Sequence, residues 1–178
     1  MKILIVYGTT EGHTRKLCTF LGDRLRSAGH EVSLADAADA PSPDPAQFGA
    51  TFLAGSLHVG RYQAPLVHFA RDRHATLNAM PSAFVSVSLS AAGHNPDDWA
   101  GLDECLARFE HDTEWTPKAV HQAAGAIRYS QYDYFKRLAL KYIAGRRGQH
   151  TVTSQDYDLT DYPALERFGL EFVERAGT

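Results

Sequence analysis

The sequence predicts an α/β fold in which a five-stranded parallel sheet, doubly wound in the strand order 2-1-3-4-5, carries helices on both faces. Three observations lead to this fold class. Apolar segments of strand length alternate with segments whose apolar residues recur at helical spacing. Residues 2–7 (KILIVY) are almost wholly apolar, which is typical of a strand buried on both faces of a parallel sheet. A loop rich in glycine and hydroxyl residues then leads directly into the first helix.

The elements follow one another in a regular order along the chain. The predicted strands span residues 2–7, 31–35, 50–54, 82–88 and 119–127. The predicted helices are marked by apolar stripes: Leu17, Leu21 and Leu25; Leu66, Phe69, Ala70 and Leu77; Trp99, Leu102, Leu106 and Phe109; and Tyr162, Leu165, Phe168 and Phe172. Pro81 is expected to end the second of these helices, and Thr160 or Asp161 to cap the last.

Length and composition favour a single domain spanning residues 1–178. The chain has a formal net charge of −3 and 44% hydrophobic residues, which is ordinary for a globular protein. It contains no apolar run of membrane-spanning length and no signal segment, so we expect a cytoplasmic protein. Two cysteines fit a reducing compartment, and nine histidines without metal-ligand spacing predict no metal site.

The loop from Gly8 to Thr14 carries the strongest functional signal. Its backbone amides and hydroxyls would lie at a helix N-terminus, where the helix dipole favours a phosphate. It matches neither the nucleotide-triphosphate loop nor the dinucleotide fingerprint. Because no Lys or Arg lies within it, a phosphate would be held by uncharged donors, with the Glu11 side chain pointing to solvent. An ordinary capped helix without any ligand has the same pattern and stays open as an alternative.

Two further loops are expected to meet this one, because the carboxyl ends of parallel strands lie at the same edge of a sheet. The exits of the third and fourth strands would then form the other walls of one cofactor site. The candidate cofactor-binding residues are Thr9, Thr10, Glu11, Gly12, His13 and Thr14 from the first loop, Ser56, Leu57, His58, Val59 and Gly60 from the second, and Ser88, Leu89, Ser90, Ala91, Ala92, Gly93 and His94 from the third.

The pattern Thr9-x-x-Gly12-x-Thr14 after a first strand resembles the FMN phosphate loop of flavodoxins. Residues 56–62 (SLHVGRY), 80–87 (MPSAFVSV) and 124–129 (AGAIRY) are similar to segments of the flavodoxin-like, quinone-dependent protoporphyrinogen oxidases of bacteria, and Glu11 also suits that branch. The resemblance implies a flavodoxin-like fold, an FMN cofactor and oxidation of protoporphyrinogen IX to protoporphyrin IX in heme biosynthesis. It also implies that electrons pass to a menaquinone-type acceptor.

One departure from that family concerns the flavin ring. Family members tend to have a basic-aromatic pair where this chain has His58-Val59. The candidates for packing against the ring are His58, Tyr62, His94 and Trp99. Trp99 also fits the apolar stripe of its helix, and we expect it to belong to the core. No catalytic acid or base stands out.

Residues 128–148 form a basic segment that a minimal flavodoxin would not need. Their net charge is +5, which leaves −8 for the rest of the chain and indicates an anionic partner. The interleaved aromatic residues suit a membrane interface on the inner face of the cell membrane, or the propionates of a porphyrinogen. A helix packed on the domain with a solvated basic face stays open, whereas nucleic acid is disfavoured by the overall charge. We expect Arg128, Tyr129, Lys136 and Arg137 to contact substrate.

Two other functions remain open, and a third is excluded. A flavodoxin-type electron carrier should be acidic around the flavin and should lack the basic segment. An NAD(P)H-quinone reductase would need a nicotinamide site, for which no second nucleotide motif is present. A phosphorelay receiver requires an aspartate at the end of the third strand, where this chain has Gly55-Ser56, so that reading is rejected. Whether the chain forms homo-oligomers is left open.

Overall fold

The computed structural model describes residues 1–127 and 157–177. A five-stranded, wholly parallel sheet in the order β2-β1-β3-β4-β5 confirms the predicted fold class. The strands are β1 (Lys2–Gly8), β2 (Glu31–Asp36), β3 (Ala50–Ser56), β4 (Ser82–Ser88), β5 (Ala119–Ala124), β6 (Ala126–Ile127) and β7 (Tyr157–Asp158). The helices are α1 (His13–Ser27), α2 (Ala64–Asp72), α3 (His74–Ala79), α4 (Pro96–Thr113) and α5 (Tyr162–Ala176), with 3₁₀ turns at Pro45–Gln47 and Ser90–Ala92.

Two apolar layers lie on opposite faces of the sheet, because successive strand residues point in opposite directions. Ile3, Ile5 and Phe52 pack on one face with residues of α1 and α5. Leu4 and Val6 pack on the other face, in a layer supplied by α2, α3 and α4. β1 and β4 are therefore covered on both sides, and every residue from Ile3 to Gly8 and from Ser82 to Ser88 is buried.

The structure corrects two predicted elements. The single helix expected before Pro81 is divided at Arg73 into α2 and α3, because Arg73 has φ −122° and leaves the helical region. The predicted fifth strand ends at Ala124, and after Gly125 the short strand β6 pairs antiparallel with β7 in a separate ribbon. The predicted β3 is confirmed and continues two residues further, to Ser56.

Trp99 is a third correction, since it does not belong to the core. It lies in the first turn of α4, which begins at the edge of the sheet, and its side chain is 37% exposed. Its Nε1 donates a hydrogen bond to the carbonyl oxygen of Gly93 over 2.9 Å. The fully buried tryptophan is Trp115, which follows α4 and packs edge-on against Phe84 and Phe109.

The helices in residues 1–127 and 157–177 include none with the length and apolar composition that a bilayer crossing requires. The basic segment 128–148 lies outside the described residues, and with it Arg128, Tyr129, Lys136 and Arg137.

Candidate cofactor site

A cleft opens at the carboxyl edge of the sheet, where the loops after β1, β3, β4 and β5 meet. Residues from all four loops line it: Thr9, Thr10, Glu11, His13, Thr14, Ser56, Leu57, His58, Val87, Ser88, Leu89, Gly125 and Ala126. Ten of these were candidates from the sequence. In the described part of the chain, no group of three His, Cys, Asp or Glu side chains is arranged to hold a metal ion.

The loop after β1 exposes a set of backbone donors. Gly12 has φ +83° and immediately precedes α1, and its N–H donates to Oγ1 of Thr9 over 2.9 Å. Within the described chain, the N–H groups of Thr10, Glu11 and Thr14 donate to no protein acceptor. These amides lie where the helix dipole adds a partial positive charge. The loop is therefore suited to hold an anion without any cationic side chain.

Thr14 adds a side-chain donor at the floor of the cleft. The residue is fully buried, and its Oγ1 has no hydrogen-bond partner among the described residues. Leaving a buried hydroxyl unpaired costs about 1–3 kcal/mol, so such a group usually has a ligand or water to bind. The hydroxyl and the amides, which have no partner among the described residues, together fit a phosphate group.

Lys16, near the start of α1, forms an ion pair with Asp158. Lys16 Nζ lies 2.7 Å from Oδ2 of Asp158, which also accepts a hydrogen bond from the Tyr162 hydroxyl over 2.6 Å. Burial alone would raise the pKa of Asp158, but hydrogen bonds from Lys16, Tyr162 and Thr160 outweigh it and hold that pKa well below its usual range. The same contact with Asp158 raises the pKa of Lys16. Lys16 is thus committed to a structural ion pair.

His13 joins this network to the cleft. Its Nε2 lies 3.0 Å from Oγ1 of Thr160, and that hydroxyl donates to the carbonyl oxygen of Ala124 over 2.8 Å. His13 Nε2 also lies 3.7 Å from Oδ1 of Asp158. The start of α1 is therefore attached to the end of β5 and to the segment that precedes α5.

Gln63 connects the first two walls of the cleft. Its Nε2 donates to Oγ of Ser56 over 2.6 Å, to the Ser56 carbonyl oxygen over 3.0 Å and to Oγ1 of Thr10 over 3.2 Å. Gly8 and Gly55 pair in register at the ends of β1 and β3, and they make room for Gln63 and for Leu66 respectively. A Cβ on Gly8 would lie 3.0 Å from Gln63 Oε1, and one on Gly55 would lie 2.6 Å from Leu66 Cδ2.

The second wall is a tight hairpin. The N–H of His58 donates to the Arg61 carbonyl oxygen over 2.8 Å, and the Arg61 N–H returns a bond of 3.1 Å. The two central residues, Val59 and Gly60, have φ +49° and +74°, as a mirror-image turn requires. Ser56, Leu57 and His58 line the cleft, whereas Val59 is 89% exposed at the tip and, like Gly60, lies outside the lining.

Only the start of the third loop reaches the cleft. Ser88 and Leu89 line it, and Ser90 to His94 do not. The 3₁₀ turn at Ser90–Ala92 and the bond from the Ala91 N–H to Ser88 Oγ direct the chain away toward α4. His94 is exposed.

Tyr62 is not available to a flavin ring, contrary to the expectation from the sequence. It is 8% exposed, and its ring packs edge-on against Phe84 and Phe109, with centroids 5.1 Å and 5.0 Å away. Its hydroxyl pairs with Oγ of Ser86 at 2.9 Å, and burial raises the pKa of Tyr62 to about 12. The reason is its position after the hairpin, from which it enters the apolar layer between the sheet and α4.

The sequence reasoning missed Val87, Gly125 and Ala126 as lining residues, and Gln63 and Thr160 as supports. Gly125 carried a usable signal, because a glycine inside a predicted strand often marks a break. The matched glycines Gly8 and Gly55 were a weaker signal for the close approach of Gln63. Thr160 gave none, since its contact joins residues 147 positions apart.

Known proteins share both the sequence pattern and the fold. Residues 4–154 match the family model of the flavodoxin domain. The chain is 29% identical over 173 residues to a Leishmania major protein named protoporphyrinogen IX dehydrogenase [quinone], covering 97% of this chain and 74% of that one. An Escherichia coli K12 protein of the same name is 29% identical over 174 residues, covering 97% and 95%.

Among solved structures, the oxidised flavodoxin 1 of Bacillus cereus superposes with a TM-score of 0.58 at 14% identity, over 98% of both chains. At that identity the likeness concerns the fold alone. Together with the sheet order and the family match, it leads to one conclusion. This chain belongs to the flavodoxin domain family.

Proposed function

We propose that this chain is an FMN-dependent oxidoreductase that oxidises protoporphyrinogen IX to protoporphyrin IX, passes the electrons to a quinone, and thereby serves heme biosynthesis. One observation carries the cofactor part: a cleft at the carboxyl edge of the sheet presents unpaired amides and the unpaired, buried hydroxyl of Thr14. The substrate part is supported by relatives that carry the name protoporphyrinogen IX dehydrogenase [quinone]. We also propose that residues 1–178 form a single domain.

The phosphate would be held by the first loop. The N–H groups of Thr10, Glu11 and Thr14 and the Thr14 hydroxyl would donate to its oxygens, supported by the dipole of α1. Thr9 and Gln63 would keep the loop in shape through their bonds to Gly12 and Thr10. FMN, when bound, supplies the two-electron redox chemistry.

The other walls would orient the rest of the cofactor and limit its access to water. Leu57, Val87 and Leu89 bring apolar side chains to the cleft, and His58 brings an imidazole at its rim. Apolar walls around a redox group lower the local dielectric constant and so influence its potential. In this proposal the chain contributes position and environment, and protons from the substrate pass to water.

Substrate contact is proposed for Arg128, Tyr129, Lys136 and Arg137, on the basis of their charge and aromatic character. The cations would attract the anionic substrate toward the cofactor, and the tyrosine would cover part of the macrocycle. We expect Arg128→Ala to slow porphyrinogen turnover while FMN remains bound. If Arg128→Ala loses FMN to the same extent as it loses turnover, the assignment of Arg128 to substrate contact is wrong. The same basic segment is proposed to contact the inner face of the membrane, where a menaquinone-type acceptor dissolves.

The proposal is tested by anaerobic mixing of the FMN-loaded protein with protoporphyrinogen IX, followed by menadione. We expect the flavin absorbance at long wavelength to bleach on the first addition and to recover on the second, and free FMN at the same concentration serves as the control. Rapid bleaching by NADPH without any by porphyrinogen would instead identify an NAD(P)H-quinone reductase. Bleaching by neither would leave an electron carrier that needs a protein donor.

A further inference from the structure

A second cavity, of about 230 Å³, lies between α2 and α4 on the sheet face opposite α1 and α5. We refer to it as the α2–α4 groove. It is lined by Gly60, Arg61, Tyr62, Ala64, Val67, His68, Arg71, Cys105, Arg108, Phe109 and Asp112. Three arginines face a single acidic residue in that lining, so the groove is positively charged.

Two of these arginines have no counter-ion among the residues that the structure describes. Within residues 1–127 and 157–177, no carboxylate oxygen lies within 4.0 Å of the guanidinium of Arg61 or Arg108. Arg71 differs, because its Nε donates to the carbonyl oxygen of Asp112 over 2.9 Å. Two free guanidiniums at one concave site are suited to carboxylates, which accept paired N–H donors from each arginine.

The floor of the groove is apolar. Tyr62 and Phe109 are buried with ring centroids 5.0 Å apart, and Val67 and Ala64 come from the first turns of α2. Ligand sites commonly combine such a floor with a few charged groups that fix orientation. An anion with a large apolar body fits this lining better than a small hydrated ion does.

The groove adjoins the cofactor cleft through one turn of chain. The hairpin of residues 58–61 contributes His58 to the cleft and Gly60 and Arg61 to the groove. A Cβ placed on Gly60 would lie 3.9 Å from Cys105 Sγ, so the hairpin rests against α4 at this point. The cleft and the groove therefore lie on either side of the same hairpin.

We propose that the α2–α4 groove binds the propionate carboxylates of the porphyrinogen, with Arg61 and Arg108 as their partners. This inference rests on the proposed function. A porphyrinogen has an apolar macrocycle with two carboxylates on one side, and the groove offers an apolar floor with two unpaired guanidiniums. Arg61 and Arg108 would thus determine how the macrocycle is oriented at the cofactor.

Equilibrium binding of protoporphyrin IX, the stable oxidised form, tests the proposal in the FMN-loaded protein. The titration follows porphyrin fluorescence for the diacid and for its dimethyl ester, which lacks both charges. We expect the unchanged protein to prefer the diacid by at least roughly tenfold, since each charge-assisted contact is worth about that factor. The double variant Arg61→Gln/Arg108→Gln should lose this preference and still retain FMN. The matched control Arg24→Gln/Arg167→Gln removes two charges from the α1 and α5 side and should keep it.

The outcomes separate the two proposals. If the unchanged protein binds neither porphyrin, the proposed substrate itself is wrong. If it binds the diacid and the Arg61→Gln/Arg108→Gln variant does so equally well, only the assignment of the groove fails. Binding of that variant to anionic phospholipid vesicles is measured in parallel: a loss of vesicle binding with unchanged porphyrin binding would reassign the two arginines to lipid and overturn the proposal.

Discussion

The side-chain amide of Gln63 donates a hydrogen bond to the Thr10 hydroxyl over 3.2 Å, although 53 residues separate the two in the sequence. Gln63 lies just before α2, and Thr10 lies in the loop that would hold the FMN phosphate. Because the same amide nitrogen also bonds Ser56, one side chain fixes the relative position of two walls of the cleft.

Replacement of Gln63 by leucine should therefore loosen the phosphate loop. We expect Gln63→Leu to lower the free energy of unfolding by about 1 kcal/mol and to weaken FMN binding by roughly tenfold, because the contacts of one half-buried amide nitrogen with Ser56 and Thr10 are lost. Denaturant unfolding and fluorescence titration with FMN measure the two effects. Gln47→Leu, at an exposed position outside the cleft, is the control and should leave FMN affinity unchanged. Identical FMN affinity in both variants would show that the Gln63 contacts do not shape the site.

The sheet could be predicted because it depends on local patterns. β1 and β4 are buried on both faces, so their composition alone identifies them as strands, and regular alternation with helices implies parallel order. The meeting of three loops at one edge follows from that order. Ten of the candidate residues line the cleft for this reason.

The rest depends on contacts between distant residues. Helical spacing places Trp99 in line with Leu102. The spacing does not show that the first turn of α4 extends beyond the apolar layer that the helix covers. Tyr62 follows the hairpin that borders the cleft, and only the packing of Phe84 and Phe109 explains why its ring points into the core. Gln63 acts through partners on two other loops, which no local pattern indicates.

Substitution of Gly12 should separate backbone strain from cofactor binding. Gly12 has φ +83° and lies in the loop that would hold the phosphate, so Gly12→Ala imposes left-handed strain of about 1–2 kcal/mol on that loop and adds a methyl group to it. Gly29 has φ +90° with equally open surroundings at the far end of α1, so Gly29→Ala carries the same strain. We expect similar losses of thermal stability in both variants but weakened FMN binding only in Gly12→Ala, and more severely in Gly12→Val. Loss of flavin from Gly29→Ala as well would attribute the effect to stability.

The unpaired hydroxyl of Thr14 predicts opposite signs for stability and binding. Without FMN, Thr14→Val removes a buried group that has no partner, so the free energy of unfolding should stay equal or rise by up to about 1 kcal/mol. With FMN, the variant loses a donor to the phosphate, and affinity should fall roughly tenfold. Calorimetry with and without FMN measures both effects.

Thr113 provides the comparison for Thr14. It is also fully buried, but its hydroxyl donates to the Phe109 carbonyl oxygen over 2.7 Å and accepts from the Trp115 N–H over 3.4 Å. Thr113→Val should therefore lose about 1–2 kcal/mol of stability with or without FMN and leave FMN affinity unchanged. If Thr14→Val is less stable than the unchanged protein when both are measured without FMN, the Thr14 hydroxyl already has a hydrogen-bond partner in solution. The hydroxyl would then not be reserved for the phosphate.

The ion pair between Lys16 and Asp158 should contribute stability within a defined pH window. Because its native contacts lower the pKa of Asp158, that contribution is complete above the unfolded value of about 3.9 and declines as pH falls below it. Because the same contacts raise the pKa of Lys16, the contribution also declines as pH rises above about 10.4.

We expect Asp158→Asn to be less stable than the unchanged protein by about 1 kcal/mol at pH 7, a modest figure because the lysine is exposed. Urea unfolding at pH 7, 5 and 3 should show a smaller difference in stability between Asp158→Asn and the unchanged protein at pH 3 than at pH 5. Asp103→Asn, at an exposed position of α4 with no ion pair within the described residues, is the control, and its stability relative to the unchanged protein should not depend on pH in this way. If the difference in stability between Asp158→Asn and the unchanged protein is the same at pH 3 as at pH 5, the charge on Asp158 is not its source.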